Sequence, residues 1–600
     1  MDLVTSLKSR LGPDTVARLS FWPDQEEGRS DGARVHVAAS TVLIGPWDPD
    51  GPPQACGECV RTRWLRVRSH SERTLRTASQ TDRVAASAPW PLDVPFVVDS
   101  TAILLSRVND PEFGDSIPAV PPGCAFVTSL DLVSLQTETM LIERDPLCPG
   151  CSTWVGDEPS SQELIERTSI GSRCFSIDEY DLLDGALVNP VAGVLGNAAV
   201  EDVWSTTTAP VCGRVDSRSS TDCAELTWSG QTPTYNRSRL VGLLEGLERY
   251  AGSLRRRAIH PVMATTNDPL RRVDPRVMGL YDPRTYRDDP NLVPFDPDRE
   301  IPWVWGYSVR DRQPILVAQR NVYYAGLLGA DRFVDECSNG CASGSCYEEA
   351  VLHGLLEVIE RDAFLMAWYG GAQLPVLGGG ADLGANAAKL LNRASLLGYR
   401  VELLDTSTDT AVPVVTALAT RMDGGDGYLV LASGAALDPI EAAESALHEV
   451  LTYLPGRAKQ AARRRPELLA MSTDPALVRS LRDHAELYGL PSQGKLAATL
   501  ASPSREVTVQ AMAARVGGGW SGNITADLIR IVDHLADLGY DVVVVDQTSP
   551  EQERRGISAV RVMVPGLLPM DFGWSRQRAL LMPRLLNGPG AVRILPHPFP

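Results

Sequence analysis

Two stretches of the chain carry acids at spacings that suit metal-assisted phosphate chemistry. In residues 337–363, CSNGCASGSCYEEAVLHGLLEVIERDA, Glu349, His353, Glu357 and Glu360 are spaced 4, 4 and 3 apart. At about 100° per residue these four fall within a sector of roughly 80° on one helix. Three acids on one stripe repel each other unless a cation sits among them. The rest of the segment is apolar (Ala350, Val351, Leu352, Leu355, Leu356, Val358, Ile359), which predicts burial on most sides. Buried acids need partners, and a divalent metal suits an all-oxygen cluster, with Mg²⁺ usually bringing phosphate. Residues 239–252, RLVGLLEGLERYAG, repeat the pattern: Glu245, Glu248 and Arg249 match Glu357, Glu360 and Arg361. A single ExxER equally suits an exposed helix with internal ion pairs. Two copies on apolar helices point to four glutamates around one site.

These residues carry a resemblance. The second stretch is similar to the ATP-binding signature of the YcaO family at Ser338, Asn339, Gly340, Ala342, Gly344, Glu348, Glu349, Ala350, Gly354, Leu355, Glu357 and the run Val358–Ala363. The first stretch resembles the family's other signature, ALxEAxERYxG. Residues 182–197 (LLDGALVNPVAGVLGN) look like the family's opening segment, and residues 561–572 (RVMVPGLLPMDF) resemble its RVxxPGLxP. The chain closes on Pro596-His-Pro-Phe-Pro600, similar to the PxPxP tail of the azoline-forming branch of thiazole/oxazole and thiopeptide biosynthesis. The resemblance covers residues 180–600 and implies an α/β fold with a duplicated sheet-and-helix core, a duplication that the paired ExxER segments fit.

It also implies a site. ATP and Mg²⁺ would be held by Glu245, Glu248, Glu349, Glu357 and Glu360, with Ser345 in the nucleotide loop and Arg361 on phosphate, where its planar fork of donors fits. Departures from the family pattern are Gly230-Gln-Thr-Pro233 where a GKG-type loop is frequent, Val241 for Ser, Gly344-Ser-Cys346 for GNT, and His353 for Gln. The implied reaction is cyclodehydration. A Cys, Ser or Thr side chain of a ribosomally made precursor peptide attacks the preceding carbonyl, ATP phosphorylates the resulting oxygen, and loss of phosphate leaves a thiazoline or oxazoline. Alternating prolines stiffen the tail, which would hold the Pro600 carboxylate in the site as a proton acceptor. Alternatives are a YcaO enzyme forming thioamides or amidines, which generally lacks such a tail, and a non-catalytic YcaO-like scaffold.

Residues 1–155 read as a smaller N-terminal domain. Cys56-Gly-Glu-Cys59 and Cys148-Pro-Gly-Cys151 are two CxxC knuckles that could supply one structural Zn²⁺ with four thiolates. The 88 residues between the pairs mean that the knuckles meet only through folding of a whole domain. Disulfides, redox motifs and unrelated cysteines are the alternatives. The region resembles the zinc-bearing end of ThiF-like proteins but has no GxGxxG fingerprint, so it reads as a truncated docking or scaffold domain. About 50 residues precede Cys56, without the pattern of a leader-binding module. The expected partners are therefore the precursor peptide and a separate ThiF-like leader-binding protein, with a homodimer implied by the family. Cys337, Cys341 and Cys346 read as small loop residues rather than metal ligands. Cys124, Cys174, Cys212 and Cys223 show no usable spacing.

The positioning elements follow from composition and periodicity. Six hundred residues suggest two to four domains. The net charge of −18 argues against general nucleic-acid binding. No secretion signal or run of 18 apolar residues appears, which predicts a cytoplasmic protein with no membrane span. Residues 414–419, 428–433 and 542–545 predict strands, and 439–454, 475–488 and 524–538 predict helices. On the 439–454 helix Glu449 stands where the family often has Glu. Residues 157–181 read as a linker or a first strand. Arg463, Arg464 and Arg465 read as a solvated helix face.

Overall fold

The computed structural model describes residues 6, 9–10, 19–22, 35–38, 41–68, 94–108, 119–218, 223–325, 331–378, 383–516, 519–588 and 590–599. The N-terminal part is a five-stranded sheet in the order Leu19–Trp22, Val35–Ala38, Thr41–Trp47, Cys124–Asp131, Thr137–Glu143. The helices Gly57–Arg66 and Val94–Val108 accompany it. Leu43, Val60, Trp64, Ala125, Val127 and Ile142 form its core, and Val191 and Ala192 of the following region pack into the same cluster. The two parts therefore share apolar contact.

Among the described residues three larger sheets carry most of the rest, and a two-stranded pairing of Val155–Gly156 with Ile259–His260 adds a fourth. The hairpin Ala209–Arg218/Cys223–Thr232, with edge strand Ala199–Glu201, is followed by the helix Tyr235–Ser253, the first glutamate helix. A six-stranded sheet runs Val262–Ala264, Ile301–Ser308, Val543–Asp546, Ser558–Met563, Cys341–Gly344, with Gln313–Ala318 also paired to Ile301–Ser308. A five-stranded sheet runs Leu429–Ala435, Val414–Arg421, Tyr399–Asp405, Leu374–Leu377, Ala501–Val507. The second glutamate helix, Tyr347–Tyr369, joins them. Its first half (Ala350 to Ala363) packs with Val560, Val562 and Leu528, and its end (Phe364 to Tyr369) packs with Leu431, Leu487 and Phe599. A helix apolar nearly all round is buried nearly all round, as its sequence requires.

The duplication in the fold pairs different helices from those the two ExxER motifs suggest. Hairpin 209–232 plus helix Tyr235–Ser253 recurs as hairpin 414–435 plus helix Pro439–Tyr453. Gly434 stands 204 residues after Gly230, and Glu449 stands 204 after Glu245. Both glycines let a helix close on its strand. A Cβ on Gly230 would lie 1.9 Å from the Ser238 carbonyl oxygen, and one on Gly434 would lie 2.5 Å from that of Ala442. The structural counterpart of the first glutamate helix is thus Pro439–Tyr453, with Glu449 in the place of Glu245. The second glutamate helix shares a motif with the first but occupies another position.

Other elements differ from expectation for local reasons. Residues 475–488 split into a turn at Pro475–Leu477 and a helix Leu481–Leu487, because Ser480 caps the latter by accepting from the Asp483 amide. Arg464 is no solvated residue: it donates to Asp483, Glu486 and Glu467 at 2.7 Å each. Residues 157–181 are largely irregular and run along the start of the second glutamate helix, where the Ile165 amide donates to Glu348 at 2.6 Å. Among the described residues no helix is long and apolar enough to cross a membrane.

Candidate active site and cysteine centre

The first glutamate helix presents Glu245 and Glu248, the second Glu357 and Glu360, and the repeat helix Glu449. Glu245 accepts from the Ser229 amide at 2.5 Å and from Arg249 at 2.7 Å. Glu357 accepts from the Gly340 amide at 2.8 Å and from Arg361 at 3.3 Å, and Glu360 accepts from Arg361 at 2.8 Å. Gly340 can serve there because its φ of +77° suits glycine, and a Cβ would meet the Val562 carbonyl oxygen at 2.3 Å.

The charges of these five acids act on one another. Removal from solvent, then Glu357 and Glu245, raise Glu248 well above the usual carboxylate range, with Arg249 opposing. Burial also raises Glu360, with Arg361 opposing and Glu357 adding. Glu449 is pushed up to about 7 by burial, against Arg361, with Glu360, Glu357 and Glu245 adding. Arg361 stays charged although burial works against it, because Glu360, Glu357 and Glu449 surround it. Five acids facing two guanidinium groups form a site short of positive charge, which is the condition for binding divalent cations. Among the described residues no three of these acids bring their oxygens within 4.8 Å of one another. The arrangement suits several hard cations with phosphate oxygens between them better than one caged ion.

Glu349, on the same helix, stands apart. It is fully buried and accepts from Ser345 Oγ (2.6 Å), the Cys174 amide (2.8 Å), Tyr180 Oη (3.1 Å) and Arg173 Nη1 (3.3 Å). Burial works against its charge, but His353, Ser345, the Cys174 amide and Arg173 hold it below the usual range. The helical stripe is therefore divided: Glu357 and Glu360 face the shared cluster, and Glu349 with Ser345 faces the 170–180 segment. Sequence reading missed Arg173 and Tyr180, since nothing in a polar, irregular stretch marks its contacts. The repeat of Ser-Gly and Leu-x-Glu-x-Leu at residues 229–247 and 433–451 is the signal that could have matched Glu449 to Glu245.

The tail is ordered against this site as far as the structure describes it. Phe599 is 1% exposed, packs edge-on to Phe364 with ring centroids 4.8 Å apart, and lies under the Arg361 guanidinium at 4.2 Å. Trp368 Nε1 donates to the Leu595 carbonyl (3.1 Å), and Tyr488 Oη donates to that of Pro596. His597 is fully buried and stacks on His484 with centroids 4.1 Å apart. His484 Nδ1 donates to the His597 carbonyl (2.8 Å) while its Nε2 accepts from the Gly573 amide (3.0 Å), so His484 is neutral. Pro600 lies outside the described residues. Arg361 also borders a cavity of about 50 Å³ with Asn339, Val358 and Met570. A larger cavity, about 570 Å³ between Val277, Tyr540, Met582 and Arg584, is lined by none of the five acids.

The two knuckles meet. Cys56, Cys59, Cys148 and Cys151 bring all four sulfurs within 4.8 Å of one another. The Cys56–Cys148 and Cys59–Cys151 separations are 3.5 Å, and Cys56–Cys59 is 3.8 Å. Sulfurs of a tetrahedral Zn²⁺ site with bonds of about 2.3 Å lie about 3.8 Å apart, whereas a disulfide needs about 2.05 Å. The Asp145 amide donates to Cys59 Sγ at 3.4 Å. Hydrogen bonds from the Cys148, Cys151 and Cys56 thiols hold Cys59 far below the ordinary thiol range, against burial. The donor set fits Zn²⁺. The knuckle helix then joins the site region: Arg63, fully buried, donates to Tyr250 Oη at 3.2 Å and to Glu551 at 2.6 Å.

Comparison with known proteins accords with this geometry. Residues 229–568 match the family described as YcaO cyclodehydratase, ATP- and Mg²⁺-binding. A solved heterocyclase in complex with substrate and cofactor superposes with a TM-score of 0.69 at 22% identity, over 89% of this chain and 72% of that one. The heterocyclase TruD gives 0.60 at 21% identity, over 90% and 70%. At such identity these two share the fold. An uncharacterised protein of Methanothermobacter thermautotrophicus is 28% identical over 235 residues, 38% of this chain and 57% of its own length. Another, in the tfuA 3′ region of Rhizobium leguminosarum bv. trifolii, is 26% identical over 296 residues, 45% of this chain and 61% of its own length. The chain thus spans about three-fifths of the length of these two relatives. The family match extends over more than half of the 600 residues, on both glutamate helices and the repeat helix: the chain belongs to the YcaO family.

Proposed function

We propose that this chain is an ATP-dependent cyclodehydratase acting on Cys, Ser or Thr of a ribosomally made precursor peptide. The observation that carries the reading is the cluster of five acids, three of which surround Arg361, with the Phe599 end of the tail packed against that guanidinium. Glu245, Glu248, Glu357, Glu360 and Glu449 would hold Mg²⁺ at the phosphates, and Glu349 with Ser345 would turn to the nucleotide from the helix start. When bound, Mg²⁺ supplies neutralisation of phosphate charge. Arg361 orients the phosphoryl group with its fork of donors.

In the reaction a substrate thiol or hydroxyl adds to the preceding amide carbonyl. The resulting oxygen takes the γ-phosphoryl group and ADP leaves. Loss of phosphate with the amide proton closes the C=N bond of the azoline. The proton needs an acceptor, and the Pro600 carboxylate, one residue beyond Phe599, is the group we assign to that role. The ordered tail favours this chemistry over thioamide or amidine formation.

The four-cysteine centre is proposed as a structural zinc site, since four thiolates leave no open coordination position. A separate ThiF-like protein is proposed to present the leader peptide to the N-terminal region, and the enzyme to act as a homodimer. The test combines the chain, a leader-bearing peptide, the ThiF-like protein and Mg-ATP. One phosphate released and one water lost per ring is expected. Phosphate release without loss of water, or sulfur incorporation in place of a ring, would overturn the reading.

A further inference from the structure

Cys174 and Cys346 are separated by 171 residues in the chain, yet their sulfurs lie 3.4 Å apart. Cys346 is the N-cap of the second glutamate helix and follows Ser345 directly. Cys174 belongs to the irregular segment that crosses the helix start, and its amide donates to Glu349 at 2.8 Å. Both thiols are partly exposed, unlike the buried Cys341 of the adjoining strand. A metal is the weaker occupant of this spot. Only two thiols converge there, and the third donor, Glu349, is already engaged by Arg173, Tyr180 and Ser345.

We infer that Cys174 and Cys346 are an oxidisable thiol pair whose disulfide latches the 170–180 segment onto the second glutamate helix. The sulfurs must close from 3.4 Å to about 2.05 Å, a small displacement for two side chains already in contact. The reaction is thiol–disulfide exchange with a low-molecular-weight disulfide such as oxidised glutathione. One protein thiolate attacks it and expels a glutathione thiolate. The second protein thiolate then attacks the mixed disulfide and expels the other, so two protein thiols are oxidised and one glutathione disulfide is reduced. Burial raises both thiols above the ordinary range; at Cys174 Glu349 and Glu348 add to this while the Cys346 thiol and Arg167 oppose it, and at Cys346 the Cys174 thiol and Glu348 add while the Glu349 amide opposes. The exchange is therefore slow near neutrality and quickens with pH, because the thiolate is the attacking species.

The consequence rests on the nucleotide reading of Glu349 and Ser345. With the latch closed, Glu349 is confined to its partners on the 170–180 segment and cannot turn to Mg-ATP. Oxidation is expected to weaken Mg-ATP binding at least tenfold, reversibly with dithiothreitol.

The test treats the full-length protein with oxidised glutathione. It maps disulfides by mass spectrometry of unreduced peptides, and measures Mg-ATP affinity before and after treatment, for wild type and for Cys174→Ser. A Cys174–Cys346 linked peptide in wild type, with affinity lost there and kept in Cys174→Ser, is expected. Absence of that linked peptide while the exposed Cys212 is glutathionylated overturns the pair. So does a second zinc per chain that Cys174→Ser removes, or a mapped disulfide with unchanged affinity. If the reduced protein binds no Mg-ATP, the nucleotide reading fails, and the peptide map still decides whether the pair oxidises.

Discussion

The cysteine centre and the glutamate cluster both gather ligand-type side chains from distant parts of the chain, but in opposite ways. The four sulfurs converge within 4.8 Å on one point, with a backbone amide already fixed on Cys59. The five acids come from three helices and stay dispersed, with Glu248, Glu360 and Glu449 raised by burial and by neighbouring acids of the cluster, Glu357 among them in each case. One arrangement has the spacing of a site for a single four-coordinate ion, and the other leaves room for hard cations and a phosphate chain. Under the proposed function, the contrast separates a centre that holds the fold from one whose buried charges serve chemistry.

The sharpest way to break this contrast is to remove one charge from the dispersed centre. Glu360→Gln keeps the volume, and peptide-dependent ATP hydrolysis and ring formation should fall together by roughly 10²-fold or more. Zinc content, measured by elemental analysis, should not change. Near-native turnover would sink the metal-binding assignment of Glu360.

The tail offers the next largest effect. Deleting Phe599 and Pro600 removes the ring from beneath Arg361 and from Phe364. Ring formation should be lost while Mg-ATP affinity is kept, and Phe599→Ala should destabilise the fold by about 3 kcal/mol. Mass spectrometry of the peptide and a nucleotide titration separate these outcomes. Equal loss of both would make the tail a folding element only.

At the convergent centre the opposite pattern is expected. Cys59→Ser should lower zinc to well under one per chain and cost several kcal/mol of stability, roughly what loss of a structural metal site costs. The turnover of the fraction that stays folded should be within about threefold of wild type, a margin of under 1 kcal/mol in barrier. A zinc-free protein with unchanged melting behaviour would argue that the sulfurs hold nothing.

The smallest effect is one of pH, at the seam between tail and core. Burial lowers His484 to about 4 from 6.5, and His597 is lower still. Protonating His484 would set its Nε2–H against the Gly573 amide, which now donates to that atom. Because the folded value lies below the unfolded one, the unfolded chain takes up the proton first as pH falls. Stability is full above 6.5 and declines between 6.5 and about 4, on the order of 3 kcal/mol for this residue. Hydrogen exchange at the Arg593 amide, which donates to the Tyr369 carbonyl, should quicken over that interval. A His484→Gln variant should lose this residue's share of the slope while His597 keeps its own, and an unchanged slope would place the titration elsewhere.

Much of this was legible in residue order, and the missing parts share a cause. The acids, the apolar faces and the CxxC pairs are local patterns, and local patterns report which groups a helix or turn must present. They fixed the family, the two glutamate helices with Glu245, Glu248, Glu357 and Glu360, and the residue types of the cysteine centre. Local pattern also misled: the shared ExxER suggested that the two motif helices are copies, whereas the repeat lies between Tyr235–Ser253 and Pro439–Tyr453. A four-residue motif records a common demand for charge, but a fold repeat is recorded in close-packing glycines such as Gly230 and Gly434.

Only the tertiary structure decided which groups meet. It turned Glu349 from its neighbours on the stripe toward Arg173 and Tyr180, stacked Phe599 on Arg361, and set Cys174 against Cys346. These contacts join segments far apart in the chain through single side chains in irregular backbone, where no periodicity constrains the partner. Their geometry follows from how the sheets and helices pack, so it exists only once the whole core has formed.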